Sequence, residues 1–109
     1  MILISKNIVP KGYLGIAIYP FILLKYEFLK GNMVLVNHEK IHLRQQIELL
    51  IIPFFVIYGC EFLCRLIYYR KWKLAYKSIS FEREAYAKEK DLDYLRSRPS
   101  FNFIKFIRK

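Results

Sequence analysis

The sequence predicts a small α+β domain that is mostly helical and carries a β-hairpin or small sheet at its N-terminal end. A length of 109 residues suits one domain with a modest core, and a hydrophobic fraction of 55% is too high for a disordered chain. Residues 15–19 and 21–24 are rich in β-branched and aromatic side chains, which predicts strands. Apolar residues spaced three and four apart from Val34 predict one helix, and Ser80, a good N-cap type followed by acids, predicts the start of another.

The strands are expected within residues 1–31. Pro20 cannot donate a hydrogen bond to a β-ladder, so the strand that contains it should be bent or should lie at a sheet edge. Residues 25–30 either continue the alternation or begin a return strand, and a turn is expected at Gly31-Asn32. No basic, apolar and small-residue order typical of a signal peptide is visible, so we expect a cytoplasmic protein or one peripheral to a membrane surface.

The charge of the chain indicates an anionic partner. Nineteen Lys and Arg against nine Asp and Glu give a net charge of +10, which suits nucleic acid or lipid headgroups, or merely a basic surface. Neither a zinc-finger pattern nor an RNA-binding strand motif is present, so an anionic membrane surface is favoured over nucleic acid. Cys60 and Cys64 lie four apart in an apolar stretch, where free thiols in a reducing compartment are the expected state.

The two histidines of the chain, His38 and His42, flank Glu39 in an H-E-x-x-H pattern. In a helix over residues 32–52 they lie on one face, one turn apart, where both imidazoles can reach one tetrahedral zinc ion. Glu39 is then placed to act as a general base on water at the metal. Asn32 is the expected N-cap; alternatively residues 34–36 form a last strand and Asn37 is the cap. Without a metal, the three side chains would simply be solvated on a basic helix.

An apolar helix is predicted over residues 53–73, because Pro53 should end or kink the preceding helix. Glu61 and Arg65 can pair on it, and residues 70–73 form a basic cluster around a tryptophan. Three interpretations remain open for this segment: a core helix, a helix at a membrane interface, and a spanning helix. Spanning is the least favoured, since it would bury both charges in lipid.

A third metal ligand is expected from the helix predicted over residues 80–97, because catalytic zinc takes three protein ligands. Glu82 and Glu84 differ by about 160° around a helix, so only one of them can be the ligand. Glu61 is a rival that lies nineteen residues after His42, and both first-turn acids of the 80–97 helix would otherwise be solvated. Residues 98–109 form a C-terminal segment that could be a last strand.

The H-E-x-x-H pattern followed by Glu82-Arg83-Glu84-Ala85 resembles the gluzincin zinc metallopeptidases over about residues 34–86. The short chain resembles the minigluzincins, and the apolar connection resembles the membrane-linked BlaR-type peptidases. The resemblance implies a zincin-like domain with an active-site helix and a glutamate helix, a Zn²⁺ cofactor held by His38, His42 and Glu82, and a peptide or protein substrate. Tyr86 stands where those families have an aspartate that orients a ligand histidine.

The expected activity is hydrolysis of a peptide bond by metal-activated water, with Glu39 as the general base. Tyr86 is the candidate donor to the oxyanion, and the strand region 15–22 could pair with an extended substrate. Two alternatives are a non-catalytic metal-binding module and a basic protein that holds residues 70–73 and 101–109 against a membrane.

Overall fold

Three short strands form one mixed sheet in the computed structural model, which describes residues 2–107. The strands are β1 (Ile2–Ile4), β2 (Gly15–Ile18) and β3 (Phe21–Leu24), in the order β1-β3-β2. β2 pairs antiparallel with β3, so a hairpin is present, but it turns at Tyr19-Pro20, and the expected strand that contains Pro20 is wrong. β1 adds parallel to the other side of β3. β2 is therefore an edge strand, and Pro20 lies in the turn that follows it.

A 3-10 helix at Glu27–Gly31 stands where residues 25–30 were expected to continue the strand or to begin a return strand, so both alternatives are wrong. Helix α1 (Met33–Glu48) begins next, and the Asn32 side chain caps it by accepting a hydrogen bond from the Leu35 amide at 3.1 Å. The prediction of Asn32 as the N-cap is confirmed, and the strand over 34–36 with an Asn37 cap is wrong. Asn37 lies inside α1 instead, and its side-chain amide donates to the carbonyls of Glu89 and Asp91.

The predicted apolar helix 53–73 is divided into α2 (Ile52–Tyr69) and α3 (Trp72–Ser78). Left-handed backbone at Leu50 and Ile51 ends α1 and redirects the chain into α2, and left-handed Arg70 separates α2 from α3. Only 6% of the α2 residues are buried, so the interpretation as a fully buried core helix is wrong. Among the described residues, α2 is the one helix whose length and composition would allow it to cross a bilayer, a property that many soluble core helices share.

The predicted helix 80–97 is also two helices, α4 (Ser80–Lys88) and α5 (Tyr94–Ser97), with a turn between them. Asn37 binds the carbonyls of that turn, which fixes the break against α1. Ser80 is the first residue of α4 and not its side-chain cap, because its amide and hydroxyl both donate to the Glu61 carboxylate at 2.8 Å. A 3-10 helix, Asn102–Phe106, replaces the suggested last strand, and positions 108 and 109 of that suggestion lie outside the described residues.

The α+β class, mostly helical with a small sheet, is therefore confirmed. α1 packs on β2, β3 and α4, while α2 packs on α3 and touches α1. One core cluster joins the sheet to α1, and a second joins α2, α4 and the C-terminal 3-10 helix through four residues: Phe54, Ile79, Phe81 and Phe103. A third cluster includes Ile41 of α1 and Ala85 of α4, each fully buried, which brings these two helices into direct contact.

Candidate metal centre and its cleft

Two imidazoles of α1 converge with one carboxylate of α4. Glu82 Oε1 lies 3.2 Å from His38 Nε2 and 3.0 Å from His42 Nε2, and all three side chains are buried. Ligand atoms bound at about 2.0 Å in a tetrahedron are separated by roughly 3.3 Å, which is close to both distances. The ligand atoms of all three side chains lie within 4.8 Å of one another, so these two nitrogens and one carboxylate oxygen form a group that could hold a metal ion.

The other nitrogen of each imidazole is held by an acceptor. His38 Nδ1 lies 2.8 Å from Glu89 Oε1, and His42 Nδ1 lies 2.8 Å from Gln45 Oε1. Because a carboxylate and an amide oxygen can only accept, these contacts place a proton on each Nδ1. The Nε2 of each ring then either carries a second proton and donates it to Glu82, or offers its lone pair to a metal ion. Ligand histidines in metal sites are oriented in this way.

Glu89 supplies the orienting carboxylate that was missing at position 86. Tyr86 packs its ring edge-on against His38 at a centroid distance of 4.6 Å, and its hydroxyl lies 3.5 Å from the Tyr76 hydroxyl. Sequence analysis missed Glu89, although Glu89 follows Glu82 by seven residues, which is two helical turns and therefore the same face. Sequence analysis gave no role to Gln45, which follows His42 by three residues and so lies on the same face of α1.

Glu84 points away from the imidazoles into a separate buried network. It accepts hydrogen bonds from Gln45 Nε2 at 2.9 Å, Tyr94 Oη at 2.6 Å and Arg98 Nε at 2.5 Å. Burial by itself would raise the pKa of the Glu84 carboxyl, but these hydrogen bonds outweigh burial and lower the pKa below 4.5. Glu84 therefore supports His42 through Gln45 and is not placed to bind the same ion.

Glu61, the other rival ligand, is hydrogen-bonded to the first residue of α4. Its two carboxylate oxygens accept from the amide and the hydroxyl of Ser80, and Arg65 lies 3.5 Å away. Within residues 2–107, His38, His42 and Glu82 are the one group of three such side chains whose ligand atoms converge.

No family model, curated protein or solved structure matches this chain.

Tyr58 of α2 donates its hydroxyl proton to Glu82 Oε2 at 2.5 Å, a contact that sequence analysis missed because Tyr58 lies inside an apolar run. Burial and the Glu82 carboxylate both raise the pKa of Tyr58, so its hydroxyl stays protonated. Burial would raise the pKa of Glu82, but the two imidazoles lower it well below its usual range. Burial opposes a charge on His42, and Glu82 outweighs that effect and raises the His42 pKa to about 9.

Glu39 lies beside this centre at the wall of a cleft of about 320 Å³. Burial raises the pKa of the Glu39 carboxyl, against the lowering effect of His42 and His38. Gly15 of β2 approaches it closely, since a Cβ at position 15 would lie 3.4 Å from Glu39 Oε2 and 3.0 Å from Leu24 Cδ2. A carboxyl group that holds a proton more readily than usual suits proton transfer near neutral pH.

The cleft runs between β2 and the inner face of α2. Gly15, Ile16, Ala17 and Ile18 line one wall, and Glu39, His42 and Glu82 also face it. A smaller cavity of about 220 Å³ adjoins Glu39 on the His38 side, and Tyr86 lines this cavity rather than the main cleft. The remaining lining of the main cleft is mostly aromatic: Phe54, Phe55, Tyr58, Phe62, Trp72 and Tyr76.

Proposed function

We propose that this protein is a zinc-dependent peptidase with a gluzincin-type centre in a small zincin-like domain. His38, His42 and Glu82 are the proposed zinc ligands, and Glu39 is the proposed general base. The observation that supports this most is the convergence of both Nε2 atoms on Glu82 Oε1 while Glu89 and Gln45 hold the two Nδ1 atoms. Such orienting partners are expected of a centre that binds a metal.

A zinc ion held there would supply a Lewis acid that polarises a peptide carbonyl and lowers the pKa of water. Glu39 would accept the proton of the attacking water and then deliver it to the nitrogen of the leaving amine. Tyr58 keeps the second oxygen of Glu82 hydrogen-bonded, so only Oε1 is free to face the imidazoles.

The edge of β2 is the proposed site for an extended peptide. Lys25 donates its amide to the Leu14 carbonyl, and because antiparallel pairs alternate, the backbone groups of Gly15 and Ala17 point away from β3. Gln46 Nε2 donates to the Ala17 carbonyl at 2.8 Å, so this outward-pointing carbonyl already has a partner. The amide and carbonyl of Gly15 and the amide of Ala17 remain for pairing with a substrate beside Glu39.

The aromatic wall of the cleft favours apolar side chains in the substrate. Its α2 and α3 residues offer ring faces and hydroxyl groups, and no Lys, Arg or Asp side chain is among the cleft residues described here. An apolar side chain gains free energy by leaving water for such a wall, whereas a charged one would lose its hydration without a partner. The proposed substrate is therefore a peptide with bulky apolar residues next to the cleaved bond.

The test is the zinc content of the purified protein compared with its His42→Ala, Glu82→Ala and Glu61→Gln variants. A three-ligand site predicts about one equivalent in the parent and in Glu61→Gln, and loss of the metal in the two ligand variants. Zinc retained by Glu82→Ala at the parent's affinity would refute the ligand assignment.

Cleavage is tested with a fluorogenic peptide library at fixed zinc content. Glu39→Gln should keep its zinc and lose cleavage by roughly 100-fold or more, the usual contribution of a general base. Zinc binding by the parent without cleavage of any apolar peptide would instead favour the alternative of a non-catalytic metal-binding module.

A further inference from the structure

The outer face of α2 is an uninterrupted apolar surface. Ile52, Val56, Leu63 and Ile67 follow one another at helical spacings, and each is between 57% and 74% exposed. An 18-residue helix is about 27 Å long, so this stripe extends along most of one side of the protein. Soluble proteins rarely leave an apolar patch of this extent open to water, and larger exposed patches usually mark a binding surface.

The two charged residues of α2 lie on its other face. Glu61 accepts hydrogen bonds from Ser80, and Arg65 Nη2 donates to the Ile107 carbonyl at 2.6 Å. Their side chains are only 16% and 17% exposed. The outer face therefore carries no ionised group, while the inner face is bonded to α4 and to the C-terminal 3-10 helix.

A basic and aromatic cluster continues from the C-terminal end of this surface. Arg70, Lys71 and Lys73 are exposed, and Trp72 between them is 59% exposed. Tryptophan and basic residues next to an apolar face are typical of contact with membrane headgroups. The protein as a whole carries a net charge of +10, which adds attraction to an anionic surface.

We propose that the outer face of α2 binds the surface of an anionic lipid bilayer. The stripe from Ile52 to Ile67 would lie in the boundary between headgroups and acyl chains, and Arg70, Lys71 and Lys73 would contact anionic headgroups. Insertion of α2 across the bilayer is disfavoured, because it would strip Glu61 and Arg65 of their partners and place them in lipid.

A second copy of the chain is a poorer occupant of this face. In a dimer through this face, the basic cluster at residues 70–73 would find no acidic residue on the outer face of the partner's α2. Two chains that each carry a net charge of +10 also repel each other. Phe55 and Trp72 line the main cleft and are also exposed beside the stripe. If the proposed peptidase activity holds, the cleft therefore adjoins the bilayer and its substrates are peptides at the membrane surface.

The first experiment measures co-sedimentation of the 109-residue protein with phosphatidylcholine vesicles and with phosphatidylcholine–phosphatidylglycerol vesicles. Ile67→Glu should lower the partition coefficient on anionic vesicles about tenfold to a hundredfold, since one buried isoleucine contributes that much. Phe28→Glu is the matched control, because Phe28 is 75% exposed on a 3-10 helix that packs on α1 and β3. Equal losses in the two variants, or no binding by the parent, would overturn the proposal.

The second experiment tests the charge. Replacing Arg70, Lys71 and Lys73 by Gln should lower binding to anionic vesicles about a hundredfold at low salt, since each basic residue near such a surface contributes roughly fivefold. Binding should also weaken as salt rises. A control that neutralises three exposed lysines elsewhere should lose much less; its residues are Lys6, Lys40 and Lys90.

Two further measurements keep this proposal separate from the proposed catalysis. Glu39→Gln should bind vesicles as the parent does, and Ile67→Glu should retain the parent's zinc content, so either idea can fail alone. Sedimentation without lipid shows whether the face joins two copies. A dimer that Ile67→Glu dissociates, with no binding to vesicles, would assign the face to a second chain and overturn the membrane proposal.

Discussion

Removing the carboxylate of Glu89 should weaken zinc binding without unfolding the protein. Glu89 Oε1 accepts the Nδ1 proton of His38 at 2.8 Å, and its side chain is 21% exposed. Partners of this kind fix the ring orientation of the ligand and raise its basicity, and their loss typically costs 10-fold to 100-fold in metal affinity. We therefore expect a loss of roughly 1.4 to 2.7 kcal/mol in the free energy of zinc binding.

Two substitutions separate the charge of Glu89 from its hydrogen bond. Glu89→Gln keeps an oxygen that can accept from His38 Nδ1, so its loss of zinc affinity should be close to 10-fold. Glu89→Ala loses both the charge and the acceptor, so its loss of zinc affinity should be close to 100-fold. Zinc affinity is measured by competition with a chromophoric chelator at constant pH, and circular dichroism checks that each variant is folded.

Glu27→Gln is the matched control for charge. Its side chain is 76% exposed on the 3-10 helix, where it pairs with Lys30. It changes the net charge by the same amount as Glu89→Gln without touching the imidazoles. Zinc affinities of folded Glu89→Ala and Glu27→Gln that agree within a factor of two would refute the orienting role of Glu89.

Three other predictions concern the scaffold of the centre. Arg98→Met leaves Glu84 buried without its cation, so the free energy of unfolding in urea should fall by about 3 to 5 kcal/mol; a loss below 1 kcal/mol would show that the pair is not needed. Because the pKa of Glu84 is lower when folded than unfolded, its contribution is complete above the usual value of 4.5 and is lost as pH falls through the folded pKa. Unfolding midpoints measured at decreasing pH should therefore fall more steeply for the parent than for a Glu84→Gln variant that remains folded. Gly15→Ala places a Cβ 3.0 Å from Leu24 Cδ2 and should lower the free energy of unfolding by about 1 to 3 kcal/mol. Gly59 is helical and has open space around it, so Gly59→Ala should raise the free energy of unfolding by up to about 1 kcal/mol. Equal effects of the two substitutions in thermal unfolding would contradict this packing argument.

Local patterns predicted much of the fold. The β-branched and aromatic runs predicted the strand residues of β2 and β3, although not the turn at Tyr19-Pro20 between them. The start of α1 follows from the Asn32 side chain, which needs only an amide three residues away. Helix ends were predicted less well. α4 stops before residue 89 because Asn37, more than fifty residues earlier in the chain, binds the carbonyls that follow it. No pattern within residues 80–97 contains that partner.

For α2 as well, the sequence predicted the local features and only the tertiary structure gave the surroundings of the helix. Its apolar composition and the Glu61–Arg65 spacing were visible in the sequence, and the structure gives both charges partners on the inner face. Whether the apolar residues were covered by the rest of the chain could not be read from periodicity, because an all-round apolar helix matches several environments. The packing of α2 on one side only leaves its outer face exposed.

At the candidate centre, the sequence by itself determined the pair of imidazoles, because two residues four apart on a helix must share a face whatever surrounds them. It also determined that Glu82 and Glu84 point in different directions. Only the tertiary structure decided which carboxylate lies beside the imidazoles, since that depends on how α4 packs against α1 through Ile41 and Ala85. The spacing of seven residues places Glu89 on the same face as Glu82, but its contact with His38 depends on the same packing of α4 against α1. Tyr58 reaches Glu82 from α2, and no repeat along the chain sets such a contact between separate helices.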